Sequence, residues 1–212
     1  MAHTLFGSQG SGSAAIEVAL RRCALPYRVV RASTWEADSA QAELAAVNPL
    51  KQIPTLVSPD GKVLSESAAI LMHLGLSYPA STLFPESPDA RAQVIRGLVF
   101  IAANCYSAIG IIDYPERWTS ADSAEAHAAL KEGAERRLHT TWEMFADTFT
   151  GALSKPDEPV NGLDVLATVV SKWSGTRAHL AEHRPQFAAV LARIDAHKSV
   201  APVFAEHWPP KI

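Results

Sequence analysis

The stretch from Asn48 to Ile70 constrains this chain more than any other. Asn48-Pro49-Leu50-Lys51-Gln52-Ile53-Pro54 is a loop closed by a proline, and Thr55-Leu56-Val57 has the composition of a short strand. Pro59-Asp60-Gly61 is a turn signature, Lys62-Val63-Leu64 returns as a second strand, and a helix opens at Glu66-Ser67. A hairpin that runs straight into a helix leaves few topologies, because the helix must cover the sheet that the hairpin edges. The helix start also carries chemistry. A helix N-terminus presents unpaired N–H groups and a partial positive charge, which suits a bound carboxylate. Ser67 adds a hydroxyl donor there, and Glu66 can face an ammonium group. The pair thus offers partners to both ends of an α-amino acid head group. The plainer role for the same two residues is capping, which satisfies N–H groups and complements the helix dipole.

Upstream, Thr4 to Gly7 reads as a buried strand, Ser8-Gln9-Gly10-Ser11-Gly12-Ser13 as a small flexible turn, and Ala14 to Ala24 as a helix stopped by Leu25-Pro26. Tyr27 to Arg31 is a strand, so the first three elements form a βαβ unit with parallel pairing through a right-handed crossover. Ala32 to Val47 is less regular, with an alanine-rich helical turn near its end. The helix from Glu66 runs to Leu76, and Pro79 to Pro88 reads as a linker.

Everything after the linker reads as helical. Val94, Leu98, Ile101, Cys105, Ile109 and Ile112 keep helical spacing until Pro115 breaks the run. A second long helix covers about Ser120 to Phe149, with Leu130, Ala134, Leu138, Trp142 and Phe145 on one face. Asn161-Gly162-Leu163-Asp164 has the form of a capping box opening an apolar helix. Pro185 starts the last expected helix, and the tail from Ser199 is short.

This order of elements, with Ile53-Pro54 and Glu66-Ser67 at their places in it, resembles the glutathione transferase family, in its bacterial form with a serine in the N-terminal turn. The resemblance implies an α/β thioredoxin-like, glutathione-binding domain over residues 1–79. An all-α domain over 88–212 would contribute the second-substrate pocket. It implies a cis peptide before Pro54, backbone pairing of Ile53 with the cysteinyl part of glutathione, and a γ-glutamyl site at Glu66 and Ser67. Gln52 would bond near the cysteinyl unit. Lys51 would meet the glycyl carboxylate, or remain a solvated surface lysine. The capping box matches a folding motif at the same place in the family. A homodimer is the common assembly, with glutathione as co-substrate.

A glutathione thiol then needs activation, because a free cysteine thiol has a pKa of about 8.5. A hydroxyl hydrogen bond and a helix N-terminus both favour the thiolate. Phe6 stands where several classes of the family carry a tyrosine, and the turn holds no cysteine. Gln9-Gly10-Ser11 resembles the Pro-Gly-Ser of serine-type classes, so Ser11 is the first candidate for the catalytic hydroxyl, with Ser13 and Ser8 open. All three also suit N-capping or turn formation, and a backbone N–H of the turn could act alone. Asn104 and Tyr106 are candidates for the second-substrate pocket, with Tyr114, Trp118, Trp173 and Ser174-Gly175 as weaker ones. The expected function is a glutathione transferase that directs the thiolate at a small hydrophobic electrophile. The alternative is a non-catalytic binding module on the same fold.

A net charge of −3 and no dense Lys/Arg block argue against nucleic acid as a partner. The longest apolar region, Leu98 to Ile112, is interrupted by Asn104, Tyr106 and Ser107, and no basic-then-apolar leader precedes the first strand. No membrane partner and a cytoplasmic location are therefore expected. Cys23 and Cys105 continue apolar helical stripes and read as small buried hydrophobes. The eight histidines lack zinc-ligand spacing, so no metal is expected.

Overall fold

The computed structural model describes residues 2–209. Four strands, β1 (His3–Gly7), β2 (Tyr27–Arg31), β3 (Thr55–Val57) and β4 (Val63–Ser65), form one sheet in the order β2-β1-β3-β4. β1 pairs parallel with β2, as the βαβ reading requires, and antiparallel with β3, where Leu5 faces Leu56. The hairpin closes β3 on β4 with Leu56 opposite Leu64. Alternation along β1 sends neighbouring side chains to opposite faces. Leu5 joins the main core with Ile16, Leu20, Leu71 and Leu74, and Phe6 joins a smaller cluster with Ala32 and Leu44.

Helix α1 (Ser13–Arg22) is buried along Ser13 to Leu20, because α3 (Ser67–Ser77) lies beside it and helices of the second half cover it. The short α2 (Gln41–Val47) covers the Phe6 face through Leu44. The second half holds α4 (Pro88–Phe100), joined through a π-helical turn at Ile101–Cys105 to α5 (Tyr106–Asp113). Then come α6 (Ala124–Phe149), α7 (Gly162–Val170), α8 (Thr176–His183), α9 (Pro185–Asp195) and α10 (Ala201–His207). The run Pro88–Asp113 is continuous through Asn104, Tyr106 and Ser107. By length and composition it is long and apolar enough to cross a membrane, which corrects the reading of Leu98–Ile112 as interrupted. Here it packs against α6 and α7.

The chain does not end its helices at α9. A further helix, α10, follows, and α8 precedes α9 as a separate element. Helices of seven or eight residues show too little periodicity to read from sequence, and tertiary packing carries most of their stability. For α10 that packing is the burial of Val203 and Phe204 and contact with α1.

The capping box forms as its residues suggest. Asn161 Oδ1 accepts from the N–H groups of Leu163 (2.9 Å) and Asp164 (3.1 Å), and Asp164 Oδ2 accepts from Asn161 N–H at 2.6 Å. The other oxygen of Asp164 accepts from Ser154 N–H at 3.0 Å. Burial pushes the Asp164 carboxyl up to about 6, against the pull of these backbone donors. Cys105 is fully buried, which pushes its thiol up to about 12, whereas Cys23 is half-buried with its thiol facing Leu74 O.

Candidate functional site

The loop before β3 is built around one buried asparagine. Asn48 Nδ2 donates to Gln52 O (3.1 Å) and to Thr55 Oγ1 (2.9 Å), while its Oδ1 accepts from Leu50 N–H (3.1 Å). That side chain braces a loop in which Lys51 takes φ +54° and the Ile53–Pro54 peptide is cis. Among the described residues, no protein group bonds the N–H or C=O of Ile53, which lines an open cleft of about 990 Å³.

Helix α3 starts in the same cleft. Glu66 precedes it with φ +66°, a left-handed conformation unusual for a non-glycine residue, and its side chain makes no capping bond. Ser67 is buried, and its Oγ donates to the hydroxyl of Tyr106 at 3.3 Å. Tyr106, the first residue after the π-helical turn, is desolvated, and its phenol is pushed up to about 12, so it stays protonated at neutral pH. Its hydroxyl lies 2.9 Å from where a Cβ on Gly12 would sit, and Pro54 Cδ 3.4 Å from the same point. Only glycine lets the N-terminal turn approach both.

That turn is internally bonded. Ser11 Oγ donates to Ser8 O at 2.7 Å and accepts from the N–H groups of Ser13 (3.2 Å) and Ser8 (3.3 Å). Ser8 Oγ and Ser33 Oγ both donate to Glu36, holding its carboxyl below the usual range, with Ser33 the stronger contributor. Ser11 O accepts from Ala14 N–H inside α1. In a trans peptide the C=O and N–H point opposite ways. Gly12 N–H therefore points out of the helix end, and it has no protein partner among the described residues. The cleft thus collects a free amide at the start of α1, an open backbone pair at Ile53, a carboxylate at Glu66, and an uncapped start to α3.

The family profile described as the N-terminal domain of glutathione S-transferases matches residues 13–92, the segment carrying α1, the cis-proline loop and Glu66-Ser67. Over that segment the chain is similar to the glutathione S-transferase family. Among curated relatives, the chain is 35% identical over 116 residues to the GST-like protein YncG of Escherichia coli K12, covering 54% of this chain and 56% of that one. It is 34% identical over 99 residues to glutathione S-transferase D7 of Drosophila melanogaster, covering 46% and 44%. The chain therefore spans about half the length of these relatives. A glutathione transferase homologue from Sulfitobacter, crystallised with bound glutathione, superposes with a TM-score of 0.81 at 24% identity, covering 95% of this chain and 96% of that one. A sphingomonad glutathione S-transferase complexed with glutathione gives a TM-score of 0.72 at 23% identity, covering 95% and 96%. The fold is the glutathione S-transferase fold over about 95% of the chain.

Within that fold, Ser11, Lys51, Gln52, Ile53, Pro54, Glu66, Ser67 and Tyr106 all line the one cleft, as do Tyr114, Trp118, Trp173 and Ser174. Ser8, Ser13, Asn104 and Gly175 do not. Ser13 is wholly buried beneath the loop, bonded to Ser11 and to Ser8 O. Asn104 donates to Phe100 O and lines a separate hollow of about 410 Å³, shared with Leu130 and Arg137 of α6. The reason is helical phase: residues two apart project roughly 200° from one another, so Asn104 and Tyr106 cannot share a wall. Tyr106 itself touches Ser67, so it stands beside the expected glutathione site as much as the second-substrate pocket. Sequence reasoning missed Gly12, Trp35 and Arg117 on the cleft wall. The high exposure of Trp35 and Trp118, two large aromatics at the mouth, has no counterpart in a local sequence signal.

Proposed function

We propose that this chain is a glutathione transferase, with residues 1–79 as its glutathione domain and 88–212 as its helical domain. Glu66 pairs with the γ-glutamyl ammonium group. Ser67 and the uncapped start of α3 take the γ-glutamyl carboxylate. The backbone of Ile53, presented by the cis Pro54 peptide, pairs with the cysteinyl unit. Gln52 bonds nearby, and Lys51 meets the glycyl carboxylate. The glutathione thiol lies at the start of α1, where Gly12 N–H and the helix dipole favour the thiolate. The Ser11 hydroxyl adds a donor when it turns from Ser8 O. The apolar and aromatic wall at Ile109, Tyr114 and Trp118 holds a small hydrophobic electrophile for attack by the positioned thiolate. Isomerisation or reductive loss of a halide would use the same thiolate. The enzyme acts as a cytoplasmic homodimer, and a monomer by light scattering would refute that assembly.

The observation that supports this reading most is that Glu66 and Ser67 line a cleft without capping α3, so the plain capping role leaves them unexplained. The bound structural neighbours from Sulfitobacter and the sphingomonad support glutathione as the ligand. Calorimetric titration with glutathione tests it. One saturable site per chain supports the transferase, and no heat up to millimolar ligand makes the non-catalytic module the better reading. Thiolate absorbance against pH then tests Ser11: an identical curve for Ser11→Ala removes its hydroxyl from the role and leaves the backbone N–H.

A further inference from the structure

The N-terminal turn is held from the far end of the chain. Gly10, at φ +72°, has both backbone groups bonded to side chains of the helical half. Its C=O accepts from Trp173 Nε1–H at 3.0 Å, and its N–H donates to His207 Nδ1 at 3.1 Å. Gln9 Nε2 also donates to Glu206 O at 2.8 Å. Because His207 Nδ1 accepts, its proton sits on Nε2, which faces Glu17 Oε1 of α1 at 2.7 Å with both side chains buried. The other Glu17 oxygen accepts from Tyr27 OH at 3.4 Å, and Arg21 ties Tyr27 and Glu206 together from the surface. His207 is thus fixed at one nitrogen by a helix it packs on and aims the other at the turn.

We infer that His207 and Trp173 are positioning residues that hold the Gly10 peptide planes, and so set the orientation of the Gly12 amide towards the glutathione sulfur. The inference rests on the thiolate site proposed above. Three features carry it. The two bonds engage the flexible backbone of a single glycine, which bare helix packing would not need. The next peptide along carries the free Gly12 N–H. The bonds also come from residues 163 and 197 positions away, so the shape of the turn depends on docking of the helical half.

Paired variants separate positioning from stability. His207→Asn carries an acceptor as far from the backbone as Nδ1, keeping the Gly10 bond and losing Glu17. His207→Gln reaches Glu17 and loses the Gly10 bond. Trp173→Phe removes the indole N–H and keeps an aromatic ring. The readouts are the pKa of bound glutathione thiol, from thiolate absorbance, and affinity for S-methylglutathione, which has no thiol to ionise. His207→Gln should raise the bound thiol pKa by about one unit, roughly tenfold less thiolate below that pKa. Trp173→Phe should shift it the same way. Affinity for S-methylglutathione should stay within about twofold, because one net hydrogen bond away from that ligand is at stake. His207→Asn should keep the wild-type thiol pKa. Unmoved thiol pKa values in His207→Gln and Trp173→Phe overturn the inference, as do equal shifts in the Asn and Gln variants. Should both histidine variants fail to fold, Trp173→Phe decides alone. Loss of glutathione binding by the wild-type protein overturns the glutathione reading itself and this inference with it. Wild-type binding with unmoved variants overturns this inference only.

Discussion

Two helix starts in this molecule face opposite tasks. Helix α7 begins closed: Asn161 and Asp164 satisfy each other's backbone donors, a further oxygen takes Ser154 N–H, and all of it is buried. Helix α3 begins open: Glu66 precedes it in a left-handed conformation, caps nothing, and lines a cleft. Both starts have an acidic residue near the N-terminus, so charge alone does not separate them. What separates them is where the carboxylate points. A carboxylate turned onto its own helix end lowers the free energy of the fold. One turned away leaves those N–H groups for another anion and remains free to meet a cation itself.

That contrast breaks cleanly if the two starts are swapped in their effects. The largest effect expected is on stability. Asp164→Ala leaves two buried backbone N–H groups without acceptors, and should cost roughly 2–4 kcal/mol in urea unfolding while leaving glutathione affinity unchanged in the folded protein. Next comes Glu66→Gln, which keeps size and removes charge. It should weaken glutathione about tenfold or more, the scale of a hydrogen bond to a charged group, with the unfolding midpoint unmoved. A lower midpoint with unchanged affinity would make Glu66 a structural residue like Asp164. Ser67→Ala should weaken glutathione by a smaller factor, about two- to tenfold, the range of a neutral hydrogen bond. Unchanged affinity would reduce Ser67 to a partner of Tyr106.

The smallest effect sharpens the closed start. The folded Asp164 carboxyl sits at about 6, above its ordinary value, so the folded state holds this proton more tightly than the unfolded chain does. Its contribution is therefore fully present at low pH and declines as pH rises from about 4 to about 6. Wild-type stability measured against Asp164→Asn, which does not titrate, should fall across that window and level off above it. A rise across the same window would mean the backbone donors outweigh burial.

Legibility followed the range of the interactions. The hairpin, the capping box and the Pro54 and Glu66-Ser67 motifs were readable because each is set within a few residues by turn chemistry, capping or a fixed φ. Asn104 was misplaced because a polar residue near an aromatic one says nothing of helical phase until the helix is docked. Ser11 and Ser13 looked alike in a glycine-rich turn, and only their depth and partners distinguish them. His207, in a seven-residue helix near the end of the described chain, gave no signal at all.

By itself, then, the sequence determined the order of elements as far as α7, the two-part architecture and the short motifs at the start of α3 and α7, because these rest on local backbone preference and hydrophobic period. Only the tertiary structure decided which serine reaches the cleft, which face of α5 meets Ser67, and that Trp173 and His207 grip Gly10. Those contacts join groups up to 197 positions apart, and no local rule encodes which distant side chain will find a given backbone amide once the cores have packed.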